Sequence, residues 1–94
     1  MYARMATFES DPADVDRAIE MVRGEVQGDT PAGLERAKML MLVNRETGKG
    51  VGITLFDSEE AMRRGDEALN AMSPGGTEQR TSVDFFEVPV QTVS

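Results

Sequence analysis

Residues 39–56 read M-L-M-L-V-N-R-E-T-G-K-G-V-G-I-T-L-F, and two interpretations compete for them. Gly48, Lys49, Gly50 and Gly52 suggest a phosphate cradle, because glycines let backbone approach an anion and a lysine neutralises it. The spacing rejects that reading. A P-loop places its lysine after G-x-x-x-x-G and before Ser or Thr, and a dinucleotide fingerprint needs G-x-G-x-x-G; both open a helix. Here the glycines open V-G-I-T-L-F, which has the composition of a strand. Five consecutive apolar residues, Met39 to Val43, come before them and are too short for a separate helix. They predict a strand buried on both faces. The segment is therefore a β-hairpin with E-T-G-K-G as its turn, and Gly48 and Gly50 are expected to supply its positive φ. Gly52 lies inside the second strand, where a missing side chain predicts a bulge or the close approach of a partner backbone or ligand.

Outward from the hairpin, the pattern changes period on both sides. Residues 2 to 8 alternate as a strand, with Tyr2, Arg4, Ala6 and Phe8 on one side and Ala3, Met5 and Thr7 on the other. S-D-P-A-D then starts a helix: Ser10 or Asp11 can cap it, and Pro12 fits the first turn, where its missing N–H costs nothing. Val15, Ala18, Ile19, Val22 and Val26 form one apolar helical face, and Gly28 ends it. After the hairpin, Asp57 and Ser58 cap a second helix, with Glu60 three residues beyond Asp57 in the manner of a capping box. Its apolar face is Ala61, Met62, Ala68, Leu69 and Met72. Glu59–Arg63 and Glu60–Arg64 are favourable i,i+4 pairs on the wet side. S-P-G-G stops this helix, and a last strand is expected from Arg80 to about Val90, with Pro89 near its end.

The order β-α-β-β-α-β over residues 1–94 predicts one α+β domain of the ferredoxin-like kind: a four-stranded antiparallel sheet with both helices on one face. Two helices cover only one face, yet Leu40 and Leu42, like Phe86, point opposite to Met39, Met41 and Phe85. An apolar sheet face left in water predicts a partner, most simply a second copy related by a two-fold axis.

Composition limits the chemistry. The 94 residues include 17 acids and 10 basic residues, for a net charge of −7, with no His, Cys or Trp. Seven acids against two arginines in residues 9–29, and five against two in residues 57–67, put the excess on the helices. Without a basic stripe, binding to nucleic acid or anionic lipid is disfavoured. A thiolate or imidazole metal site is impossible, and no metal or cofactor is expected. No apolar run nears the roughly 20 residues of a membrane helix, and the N-terminus has no signal-peptide pattern, so the expected location is the cytoplasm.

The opening Y-A-R-M-A-T-F-E, the central hairpin with its following D-S-E-E-A-M, and the closing D-F-F-E-V-P-V resemble the dimeric α+β barrel superfamily, closest to small proteins of the antibiotic biosynthesis monooxygenase type. The resemblance implies a homodimer whose sheets face each other to form a barrel, with Gly52 marking the barrel's inner face, and oxidation of an aromatic metabolite without metal or flavin. The alternative is a non-catalytic module that binds a small apolar or aromatic molecule or serves in dimerisation. Haem-degrading relatives use an asparagine on the first strand, plus a tryptophan and a histidine at the second helix. Here the first strand carries Arg4, and Phe56 stands where many relatives have a tryptophan. The candidate substrate-binding residues are Tyr2, Arg4, Thr54 and Phe56. Arg4 has two readings: an ion pair with Asp84 or Glu87 on the neighbouring strand that fixes register, or a guanidinium that orients an anionic or phenolate substrate. The internal methionines are expected as adaptable core fillers.

Overall fold

The computed structural model describes residues 1–27, 34, 37–71 and 79–92. In chain order the elements are β1 (Tyr2–Glu9), a 3-10 turn (Pro12–Asp14), α1 (Val15–Gln27), β2 (Lys38–Val43), β3 (Lys49–Phe56), α2 (Glu59–Asn70) and β4 (Gln79–Glu87). The strands form one antiparallel sheet in the order β2-β3-β1-β4. The class is α+β, compatible with a ferredoxin-like fold. The expected helix stops at Gly28 and at S-P-G-G (73–76), and Met72 of the second apolar face, lie outside the described residues.

Helix starts follow the side chains available to accept backbone N–H groups. Asp11 caps the 3-10 turn, its carboxylate accepting from Ala13 N at 2.9 Å, and Pro12 occupies the first position. Ser58, rather than Asp57, caps α2 and accepts from Ala61 N at 3.1 Å. That places Ala61 at the third helical position, so Glu60 completes no capping box; it adds acid to the first turn, where the dipole favours it.

The hairpin turn is built on Asn44. Its Oδ1 accepts from Glu46 N and Thr47 N, at 2.9 and 3.2 Å, and its carbonyl accepts from Gly48 N at 2.8 Å. Asn44 N in turn donates to Lys49 O at 2.8 Å. The side chain thus imitates a backbone turn and shortens the loop. Gly48 is the one described residue with positive φ, at 82°. Gly50 was expected to share that role and does not. It pairs with Val43 and Phe8 inside the sheet, because the Asn44 turn has closed before it.

The register divides the sheet into two faces. Tyr2, Arg4, Ala6 and Phe8 lie beside Phe56, Thr54, Gly52 and Gly50 on β3, and α2 covers this side. Gly52 is in regular register with Ala6 and Met41, so no bulge occurs there, and it belongs to the helix-covered face rather than to an open barrel interior. The neighbour nearest to its missing side chain is the Phe8 ring, at 4.0 Å. Between α2 and the sheet, Leu34, Phe56 and Met62 form the core cluster, flanked by Tyr2, Ala37, Ala61, Ala68 and Leu69. A Cβ on Gly65 would overlap the Phe56 ring, so this glycine is where helix and sheet approach most closely. Gly65→Ala would gain about 1 kcal/mol of helix propensity but lose about 1–3 kcal/mol to overpacking. A lower melting temperature is expected for that variant by circular dichroism; a higher one would mean that Phe56 is not seated under α2.

The opposite face is a grid of three rows. Lys38, Leu55, Ala3 and Phe86 form the first, Leu40, Ile53, Met5 and Asp84 the second, and Leu42, Val51, Thr7 and Ser82 the third. Eight of these twelve side chains are apolar, and Leu40 and Phe86 remain 56% and 48% exposed. β2 departs from its expected burial. Met39 to Val43 are all exposed, because β2 is an edge strand with one neighbour and only the centre of the sheet lies under α2. β4 also ends earlier than expected: Val88 N donates to Met1 O at 2.9 Å, and Pro89, which has no donor, falls beyond the strand.

Candidate functional site

The four candidate residues come together at the end of the helix-covered face. Tyr2 pairs with Phe56 and Arg4 with Thr54 across neighbouring strands, so their side chains form a two-by-two patch. Arg4, Thr54 and Phe56 are buried, Arg4 to 4% exposure, and Tyr2 packs partly buried against the core cluster.

A guanidinium cannot shed its charge, so a buried arginine requires acceptors. Arg4 finds them on α2. Its Nε donates to Asp66 Oδ1 at 2.7 Å and its Nη2 to Asn70 Oδ1 at 3.2 Å. Asp66 and Asn70 are one helical turn apart and therefore face the sheet together. The expected partners, Asp84 and Glu87, do not serve. Asp84 lies beside Met5 on the opposite face, and Glu87 lies beside Tyr2, exposed at the edge strand. The helix above Arg4 reaches it more directly than the strand next to it.

A fourth member joins from β4. Arg80 Nη1 donates to Asn70 Oδ1 at 2.6 Å, so one amide oxygen accepts from two guanidinium groups. Both partners are donors only, which fixes the oxygen, not the amide nitrogen, toward them. Simple alternation from Val83, which lies on the helix side, would put Arg80 on the opposite face. The register shift between Thr7 and Phe8 leaves Thr81 as the extra residue and pairs Arg80 with Phe8, on the helix side. Thr81 Oγ1 donates to the Thr7 carbonyl at 3.2 Å beside this shift.

Asp66, Asn70 and Arg80 were not among the candidates read from the sequence. Two of them carried a signal: Met62, Asp66 and Asn70 recur at i, i+4, so an acid and an amide sit on the stripe that a buried residue defines. Arg80 carried none, because a bulge is not visible in the alternation.

No family model, curated protein or solved structure matches this chain. The resemblance to monooxygenase-type barrels therefore has no family match behind it. Among the described residues, no three His, Cys, Asp or Glu side chains gather as a metal site, and no helix is long and apolar enough to cross a membrane. What the arrangement does chemically is to use the Arg4 charge inside the fold, joining β1 to α2 and, through Asn70, to β4.

Proposed function

We propose that two copies of this chain, each ferredoxin-like, pair through the uncovered sheet face into a dimeric α+β barrel, and that the dimer is a small-molecule-binding or interaction module. One observation carries the pairing. The twelve-residue face opposite α2 is two-thirds apolar, and Leu40, Leu42 and Phe86 on its edge strands stay about half exposed. A patch of this kind, with polar groups at its margin, marks an association surface. A single face that meets its own copy gives a closed two-fold dimer.

The non-catalytic reading rests on how the candidate residues are used. Arg4 is bound by Asp66 and Asn70, Phe56 belongs to the core cluster and Tyr2 packs against it, so their interactions are made within the chain. The monooxygenase reading is favoured by one fact, the grouping of a phenol, a guanidinium, a hydroxyl and a ring in a single patch beneath α2. Oxygen uptake with an anthrone-like phenolic substrate would support it, provided Tyr2→Phe lowers the rate.

The pairing is tested by sedimentation velocity over a micromolar dilution series. Wild type is expected to sediment as a dimer. Phe86→Glu, which places a charge on the exposed face, is expected to sediment as a monomer with an unchanged far-ultraviolet spectrum. A wild-type monomer throughout the series would overturn the proposal.

A further inference from the structure

The uncovered face carries two formal charges, and their positions select one way of pairing. Lys38 occupies a corner of the grid on edge strand β2, and Asp84 the middle of the other edge on β4. Both are exposed, and neither joins an ion pair among the described residues. Between them lie Leu55, Ala3, Ile53 and Met5 on the two central strands. A mostly apolar, otherwise uncharged face thus presents one cation at one edge and one anion at the other.

Two simple two-fold arrangements bring this face onto itself. An axis across the strands, through the middle row, lays β4 on β4 and sets Asp84 against Asp84 of the second copy. Two carboxylates then approach each other in an apolar layer, which is costly. An axis along the strands, between β3 and β1, lays β2 of each copy over β4 of the other. Lys38 then lies one row, or about 7 Å along the strand, from Asp84 of the second copy, with the sheets about 10 Å apart. The flexible lysine stem spans that offset while its methylenes stay against apolar surface. Symmetry makes the contact twice.

We infer that the partner on this face is a second copy related by a two-fold axis along the strands, held in register by reciprocal Lys38–Asp84 ion pairs between copies. The inference rests on the homodimer reading above and goes further, since it assigns the axis and the residues that choose it. The apolar rows supply affinity, and the charges supply orientation.

Charge reversal tests it through the dimer dissociation constant, measured by sedimentation at low and high salt. Lys38→Asp alone faces Asp84 with a like charge twice per dimer and is expected to weaken association by at least about tenfold, as is Asp84→Lys alone. The double variant restores opposite charges with exchanged positions and is expected to return to within about threefold of wild type. High salt should shrink all of these differences. Both residues are exposed, so the variants should fold, and melting curves check that they do. A dimeric wild type whose double variant shows no recovery, or whose single variants are unaffected, overturns the assigned axis while leaving dimerisation intact. A monomeric wild type overturns the homodimer reading together with it.

Discussion

Asp66→Leu is expected to be the most damaging single substitution in the helix–sheet layer, lowering unfolding free energy by about 3 kcal/mol. The reason is an asymmetry between the members of the pair. Arg4 is 4% exposed and stays charged, whereas the Asp66 side chain is 25% exposed and retains some contact with water. Removing the carboxylate strands a buried cation that keeps only the Asn70 oxygen among the described acceptors. Breaking a buried pair in this way costs about 3–5 kcal/mol, and the partial exposure of Asp66 argues for the lower end. Arg4→Met removes the charge itself and fills the site with an apolar chain of similar length. It leaves an acid with partial access to water, and is expected to cost clearly less than Asp66→Leu. The double variant, with both charges gone, should be more stable than Asp66→Leu alone. Urea denaturation of the four proteins, at a concentration where association is complete, measures this cycle. Equal losses for the two single variants would mean that the ion pair is not buried as described. Retained dimerisation in Arg4→Met, with no change in any ligand that co-purifies, would assign Arg4 to the fold; loss of such a ligand would assign it to binding.

The same residue shows how far the sequence could be read. One arginine in the middle of an alternating strand announces a buried charge that needs a carboxylate, and that much was legible from residues 2–8 alone. Which carboxylate was not, because Arg4 and Asp66 are 62 positions apart. Their meeting depends on how α2 rotates over the sheet. The hairpin was legible for a local reason, since alternation and glycines act within a few residues. Its turn falls two residues earlier than the glycines suggest, because Asn44, through its side chain, closes the loop at Gly48. β2 misled for the opposite reason. A continuous apolar run describes what a strand needs to have covered, and an edge position leaves that need unmet within one chain. The expected burial of β2 and the unfilled requirement of the open face are then one fact. Leu40 and Leu42 are apolar as buried residues are, and the cover they need is not supplied by α1 or α2 among the described residues.

Gly48→Ala is expected to cost at least about 2 kcal/mol, more than Gly65→Ala, although both replace a hydrogen by a methyl group. At Gly65 the obstructing atoms belong to a side chain, the Phe56 ring, which can tilt, and the helix gains propensity in return. At Gly48 nothing is gained and nothing can yield. Its φ of 82° lies in the left-handed region, where a non-glycine residue costs about 1–3 kcal/mol. The new Cβ would also overlap the carbonyl oxygen of Ser10, which is backbone. Two bonds from Ser10 hold that approach: Ser10 N donates to Gly48 O at 3.1 Å, and Ser10 Oγ donates to the same oxygen at 3.0 Å. These bonds tie the end of β1 to the β2–β3 turn. Displacing Ser10 to admit a methyl group breaks them, and it pulls on Asp11 and Pro12, where the chain turns toward α1. The damage should therefore spread beyond the turn. Hydrogen exchange is expected to show faster exchange at Ser10 N and at the amides of Val15 to Ala18, as well as at Gly48 and Lys49. Faster exchange confined to residues 44–49 would show that the hairpin turn and the α1 entry are independent, and would remove Ser10 as the link between them.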